Sequence, residues 1–119
     1  MLPNTKIHYL SIVSSSFLIE KNVLQRFIGI ETDVLIPDNV TTVGEVAFKE
    51  CNNLQSIVIS NSVTDIGNQA FSNCKNLRKI IIPDSVTNMG TWVFSDCDNL
   101  TDVTISKNLN SIETVSYTH

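Results

Sequence analysis

A step of 23 residues recurs along the chain, and this step constrains the fold more than any other feature. The three cysteines keep this spacing, as do three of the four glycines and three of the five phenylalanines: Cys51, Cys74, Cys97; Gly44, Gly67, Gly90; Phe48, Phe71, Phe94. Three residue types in one register indicate an internal repeat. A period of about 20 to 50 residues is typical of solenoids and repeat arrays.

Each repeat unit starts with apolar residues that alternate as they do in a short β-strand. The unit at 54–76 has the sequence LQSIVISNSVTDIGNQAFSNCKN. Its opening L-x-x-I-x-I pattern predicts one short strand, and the V-x-x-I pattern after it predicts a second extended piece. Proline follows the first strand at Pro37 and Pro83, where it ends backbone pairing and turns the chain, whereas Ser60 and Ser106 replace it in the other units.

The second half of each unit predicts a short helical turn. Gly67, Ala70, Phe71 and Cys74 are spaced i, i+3, i+4 and i+7, which places them on one face of a helix. The glycine indicates either a positive φ or a close approach of two backbones. One unit cannot bury its own apolar side, so neighbouring units must stack about 4.8 Å apart. We therefore predict an α/β repeat, a solenoid with a ladder of short strands on one side and short helical turns on the other.

In its detailed pattern the repeat resembles a known family. The string I-P-D-x-V-T-x-x-G-x-x-x-F-x-x-C-x-N-L is similar to the BspA-like, or treponemal-type, leucine-rich repeat. The resemblance covers residues 31–117, or 17–117 with the initial segment. It implies a leucine-rich-repeat solenoid over 31–119 with about four rungs, the last incomplete, and a β-hairpin cap over 17–30. The residues after the strand differ from the commoner leucine-rich pattern, so a horseshoe curvature is not implied.

The two ends of the chain depart from the repeat. Residues 17–30 hold two extended runs around Lys21-Asn22, and asparagine tolerates the geometry of a hairpin turn. Residues 1–16 are predicted to be an N-terminal extension or a degenerate rung, and their apolar run lacks the clear cleavage pattern of a signal peptide. Near the other end Glu113 replaces the repeat glycine, which indicates a degenerate cap or a truncated repeat. An uncovered end would allow end-to-end self-association.

The composition argues against most catalytic, metal-binding and nucleic-acid-binding classes. The only histidines are His8 and His119, and no nucleophile–base pair, phosphate-binding glycine loop or carboxylate dyad is present. The cysteines recur on the phenylalanine face, so buried free thiols are expected rather than zinc ligands or disulfides. The eight Lys and Arg residues are scattered, and no apolar run reaches the ~20 residues of a membrane span. We therefore predict no enzymatic activity, cofactor, metal, nucleic-acid binding or membrane insertion.

The open face of the strand ladder is the predicted binding surface. If Ile57 and Ile59 point inward, the residue between them points outward, and its column continues through the neighbouring units. A contiguous exposed apolar stripe often marks a contact site. The alternatives are that an adjacent segment covers the stripe, or that β-branched residues are there because they favour strands. The candidate surface combines this stripe, a basic spot beside it and an outward tryptophan anchor: Leu35, Val58, Ile81, Arg78, Lys79 and Trp92.

The expectation about function comes from the resemblance. Such repeats often occur in secreted or cell-surface proteins of microbes, and some act as adhesins for host matrix proteins or as co-aggregation factors. The resemblance thus implies a non-enzymatic protein-interaction module, secreted or at the cell surface, which binds host or partner-cell proteins, and less readily glycans, through its open β face. The alternatives are a structural spacer within a larger protein and an intracellular protein-interaction scaffold.

Overall fold

The computed structural model of the protein describes residues 16–109, and these contain nine short strands. The predictions for residues 1–15 and 110–119 lie outside the described residues. The strands are β1 (Phe17–Glu20), β2 (Val23–Phe27), β3 (Asp33–Leu35), β4 (Thr42–Val43), β5 (Ser56–Val58), β6 (Asp65–Ile66), β7 (Lys79–Ile81), β8 (Asn88–Met89) and β9 (Asp102–Thr104).

These strands form two ladders that run along a solenoid of stacked coils. Sheet A has the order β1-β2-β4-β6-β8, and sheet B has the order β3-β5-β7-β9. Within sheet B, Ile57 pairs in parallel with Val34 of the preceding rung and with Ile80 of the following rung. The register therefore advances by one repeat per rung, and the predicted solenoid is confirmed. The second extended piece of each unit forms a ladder of its own in sheet A.

The predicted helical turns are wrong: residues 16–109 contain no helix, and turns follow each repeat glycine. Val46 and Glu50 have φ angles of 55° and 62°, in the left-handed region where an α-helix cannot continue. Backbone amides also donate to the next rung rather than along the chain. The amide of Val46 donates to the Asn68 carbonyl at 3.1 Å, and that of Phe48 to the Ala70 carbonyl at 2.7 Å. These turns bury the same i+3 and i+4 side chains that a helix would bury.

A stack of phenylalanines fills the centre of the coil. The ring centroids of Phe48 and Phe71 are 5.0 Å apart, and those of Phe71 and Phe94 are 5.6 Å apart, with the rings nearly parallel. Phe27 continues the stack from β2, at 5.1 Å from Phe48. At the start of the described residues, β1 and β2 form an antiparallel hairpin whose turn has positive φ at Lys21-Asn22. The hairpin therefore shares the core of the solenoid.

The repeat glycines are required by a close approach of two backbones, not by a positive φ. No glycine of the described residues has a positive φ. A Cβ atom on Gly67 would lie 2.6 Å from the Glu45 nitrogen and 2.9 Å from the carbonyl carbon of Gly44. Both atoms are backbone atoms of the preceding rung, so they cannot rotate away as a flexible side chain could.

Replacing the central phenylalanine should destabilise the fold far more than replacing an outer strand residue. We expect Phe71→Ala to lower the free energy of unfolding by about 3 to 5 kcal/mol, because a fully buried aromatic ring with stacked neighbours on both sides is lost. Val58→Ser should cost about 1 kcal/mol or less, because its side chain is partly exposed. Urea unfolding of both variants tests this, and equal losses would contradict the inward and outward assignments.

Adding a methyl group at Gly67 should push its rung away from the preceding rung. We expect Gly67→Ala to cost about 1 to 3 kcal/mol, because the new Cβ overlaps backbone atoms that have no room to move. Glu45→Ala changes an exposed side chain at the same contact and serves as the control. If thermal or urea unfolding shows Gly67→Ala to be as stable as the parent protein, the close approach does not constrain the coil.

Candidate functional site

The outer face of sheet B carries a row of apolar side chains, which we call the apolar stripe: Leu35, Val58 and Ile81. The three residues pair with one another in register across β3, β5 and β7, so each is one strand spacing from the next. Leu35 is 66% exposed, Val58 is 39% exposed, and Ile81 is half-buried. Thr104 continues the column on β9 with an exposed polar side chain. The stripe therefore spans three rungs and ends at the fourth.

The predicted basic spot lies beside the apolar stripe. Lys79 begins β7, two residues before Ile81, so both side chains belong to the outer face of sheet B. Arg78 immediately precedes the strand, and both cations are exposed. Neither side chain has a hydrogen bond or an ion pair within residues 16–109. Both charges are therefore available at the rim of the stripe.

The structure places Trp92 away from the other predicted site residues. It follows Gly90 on the side of the coil formed by turns, not on sheet B, and its side chain is 51% exposed. Its φ of 57° puts it at the same left-handed turn position as Val46 and Gln69. Because the backbone at this position directs the side chain out of the coil, exposure of the tryptophan follows from the turn. Trp92 and the apolar stripe therefore do not form one surface.

A groove of about 550 Å³, which was not predicted from the sequence, lies beside the apolar stripe. The stripe residues line it together with residues of the turns that follow the strands, among them Asp38 and Ser60. The Ser60 hydroxyl is buried, donates to the Pro37 carbonyl at 3.2 Å and lies 2.7 Å from the Ser62 hydroxyl. The one sequence feature that could have indicated the groove was Ser60, at a position where the neighbouring rungs have proline.

A smaller cavity of about 290 Å³ lies where the hairpin meets the first full rung. In later rungs the equivalent asparagines bond the backbone of the preceding rung: Asn76 donates to the Asn52 carbonyl at 2.6 Å, and Asn99 to the Lys75 carbonyl at 2.7 Å. Asn53, at the equivalent place, lines the cavity. The cavity therefore lies at the junction between the hairpin and the solenoid.

The cysteine column belongs to the core. The thiol of Cys74 donates to the Phe48 carbonyl at 3.0 Å, and that of Cys97 donates to the Phe71 carbonyl at 3.0 Å. Both bonds reach one rung back, and all three cysteines are free thiols. Within residues 16–109, no group of three or more His, Cys, Asp or Glu side chains is placed to hold a metal ion. Cys74 is buried, whereas Cys51 and Cys97 are half-buried, and the thiols of Cys74 and Cys97 satisfy backbone carbonyls.

The proton affinities of these thiols differ along the column. The neighbouring Cys97 thiol, together with burial, raises the pKa of Cys74. The neighbouring Cys74 thiol lowers the pKa of Cys97, so Cys97 is the member of this pair that ionises first. Burial raises the pKa of Cys51, and the nearby positive charge of Arg26 opposes this effect.

Burial raises the pKa of Cys51, and this predicts a loss of stability at alkaline pH. Above about pH 8.5 the thiol ionises in the unfolded chain before it ionises in the folded one, so stability present below that pH is lost as pH rises. We expect the parent protein to lose more of its stability than Cys51→Ala between pH 7 and pH 10. Urea unfolding at both pH values measures this difference. Parallel pH profiles would contradict the assignment.

The repeats match a described family over most of the chain. The family described as the BspA type leucine rich repeat region, with six copies, matches residues 18–119. Among curated proteins, none matches this chain. No helix within residues 16–109 is both long enough and apolar enough to cross a membrane.

Three solved bacterial structures are similar to this one. A leucine-rich repeat protein from Eubacterium ventriosum is 32% identical over 73% of this chain and 24% of its own, with a TM-score of 0.69. The leucine rich repeat protein of T. pallidum is 24% identical over 81% and 50%, with a TM-score of 0.75. A leucine rich cell surface protein from Faecalibacterium prausnitzii is 27% identical over 72% and 27%, with a TM-score of 0.61.

The chain thus spans between a quarter and a half of the length of these solved proteins. Their shared fold agrees with the stacked coils and parallel ladders described above. Because the family match extends over 18–119 and the repeat register is kept from rung to rung, the chain belongs to the BspA-type leucine-rich repeat family.

Proposed function

We propose that this chain is a non-enzymatic protein-interaction module that binds its partner through the outer face of sheet B. The observation that carries the proposal is the apolar stripe, with Leu35 at 66% and Val58 at 39% exposure on adjacent strands. Burying apolar surface contributes about 25 cal/mol per Å² to association. A contiguous stripe provides such surface in one place, as contact sites usually do.

The construction of the sheet lowers the cost of binding. Val58 and Ile81 stand on strands whose backbones are held on both sides, β5 between β3 and β7 and β7 between β5 and β9. Leu35 stands on β3, the first strand of sheet B, which pairs with β5 alone. Little backbone freedom is therefore lost when a partner docks. The exposed cations of Arg78 and Lys79 form a charged rim next to the apolar centre, the usual arrangement of a protein contact surface.

The partner in this proposal is a protein of a host or of a neighbouring cell, and the module acts at the cell surface or after secretion. Support comes from the similar protein of Faecalibacterium prausnitzii, which is described as a cell surface protein. An aliphatic stripe suits the apolar centre of a protein contact better than it suits a hydrophilic glycan.

A structural spacer is the second candidate function. The observation in its favour is that the chain spans only 24% to 50% of the solved proteins that it resembles. Rungs of this kind contact only their immediate neighbours, so they extend a longer array without a ligand of their own. A spacer would leave the apolar stripe without a partner.

Replacing Ile81 of the apolar stripe with aspartate should strongly weaken binding to the partner protein. The folded protein is titrated against a panel of immobilised matrix proteins and glycans, and we expect saturable binding to at least one protein. Ile81→Asp should weaken this binding at least tenfold, because a carboxylate at the contact must lose its hydration. Leu18→Asp is the matched control, because Leu18 is also an exposed strand residue, 48% accessible, but lies in sheet A.

The Leu18→Asp control separates specific binding from nonspecific adhesion, and binding by the parent protein decides between the two candidate functions. Unchanged binding by Leu18→Asp together with loss in Ile81→Asp supports the outer face of sheet B. Equal loss in both variants would indicate nonspecific apolar adhesion, and circular dichroism of each variant shows whether the fold is intact. Absence of binding by the folded parent protein would favour the spacer.

A further inference from the structure

We propose that the groove beside the apolar stripe accepts a lysine or arginine side chain, presented by an extended segment of the protein partner. This inference rests on the proposed function and specifies the chemistry of the ligand. The groove, at about 550 Å³, is large enough for one long side chain and the residues on either side of it.

The lining of the groove combines aliphatic surface with one negative charge. Leu35, Val58 and Ile81 supply the aliphatic surface, and Asp38 is the one charged residue among the lining residues. Asp38 is exposed, and within residues 16–109 its carboxylate has no hydrogen bond or ion pair. An unpaired carboxylate beside apolar surface favours a cation over any other ligand group.

Lysine and arginine are the side chains that match both parts of this lining. Each has an aliphatic stem that packs on apolar surface and a cationic head that stays hydrated or pairs with a carboxylate. A purely apolar side chain would leave Asp38 without a partner. An acidic side chain in the groove would be repelled by Asp38. The cations of Arg78 and Lys79 do not line the groove, because Lys79 begins β7 whereas Ile81, which lines it, ends that strand.

A serine lines the groove at the position where the neighbouring rungs have proline. Proline occupies the position after the strand in the rungs before and after, at Pro37 and Pro83, whereas Ser60 is smaller. Both contacts of the Ser60 hydroxyl are made within the coil, to the Pro37 carbonyl and the Ser62 hydroxyl. A proline ring in place of Ser60 would therefore add bulk to the lining of the groove.

The turn column of Asp38 contains a second aspartate that serves as a matched control. Asp84 lies two rungs further along the chain, and its carboxylate accepts a hydrogen bond from the Lys107 amide at 2.9 Å. It does not line the groove. Removing its charge alters the net charge of the protein by the same amount as removing that of Asp38.

A library of random linear 12-residue peptides, selected on the immobilised protein, tests the proposal. We expect the selected peptides to share a lysine or arginine next to apolar residues. A synthetic selected peptide should bind Asp38→Asn at least tenfold more weakly than the parent protein, and its own Lys→Gln variant should lose a similar factor. Ser60→Pro should also weaken binding at least tenfold, because the ring adds bulk to the lining of the groove. Asp84→Asn should bind as the parent does.

Each outcome separates this inference from the function on which it rests. Selected peptides without a basic residue, no selected peptide at all, or unchanged binding by Asp38→Asn would overturn the inference. If such results accompany protein binding that Ile81→Asp still abolishes, the proposed function stands and only the groove chemistry is wrong. Proline is already accommodated at two equivalent positions, so Ser60→Pro should fold; circular dichroism checks this, and Asp38→Asn, a surface change, tests the proposal independently.

Discussion

Hydrogen bonds between the backbones of successive rungs are the interaction on which the rest of this structure depends. The amide of Ile59 donates to the Ile81 carbonyl at 3.2 Å, and that of Gly67 to the Val43 carbonyl at 2.7 Å. Such bonds hold equivalent residues one strand spacing apart on every side of the coil. Each residue therefore has the equivalent residue of the next rung about 5 Å away. Aromatic rings fit this spacing by stacking, and glycine fits it because it has no side chain.

The same stacking separates the inside of the coil from its outside. Inside, a change in one rung disturbs two neighbours, so phenylalanine, cysteine and aliphatic residues recur in fixed columns. Outside, a side chain faces solvent, and its column is free to vary from leucine to valine to isoleucine to threonine, as along sheet B. Features that distinguish one member of this family from another are consequently built from outer residues and from single departures such as Ser60.

Individual residues show which features of the structure the sequence predicted and which it did not. Inward and outward strand positions followed from alternation, so Ile57 and Val58 were assigned to opposite faces, and their burial agrees. The helical turn was wrong because a spacing of i+3 and i+4 also results from turns with left-handed residues such as Val46 and Glu50. Trp92 was placed outward, yet its separation from the apolar stripe depends on which side of the coil carries the turn.

The chain alone therefore specifies the repeat, its register and the residues that fill the core, because these depend on the 23-residue periodicity of the repeat region. The conformation of the turns, the groove and the separation of Trp92 from the apolar stripe depend on the folded coil. In each case the deciding contact joins residues of different rungs, such as Phe48 with Ala70 or Ser60 with Pro37. The pairing of amides with carbonyls and the volume left between rungs are determined only when the rungs stack.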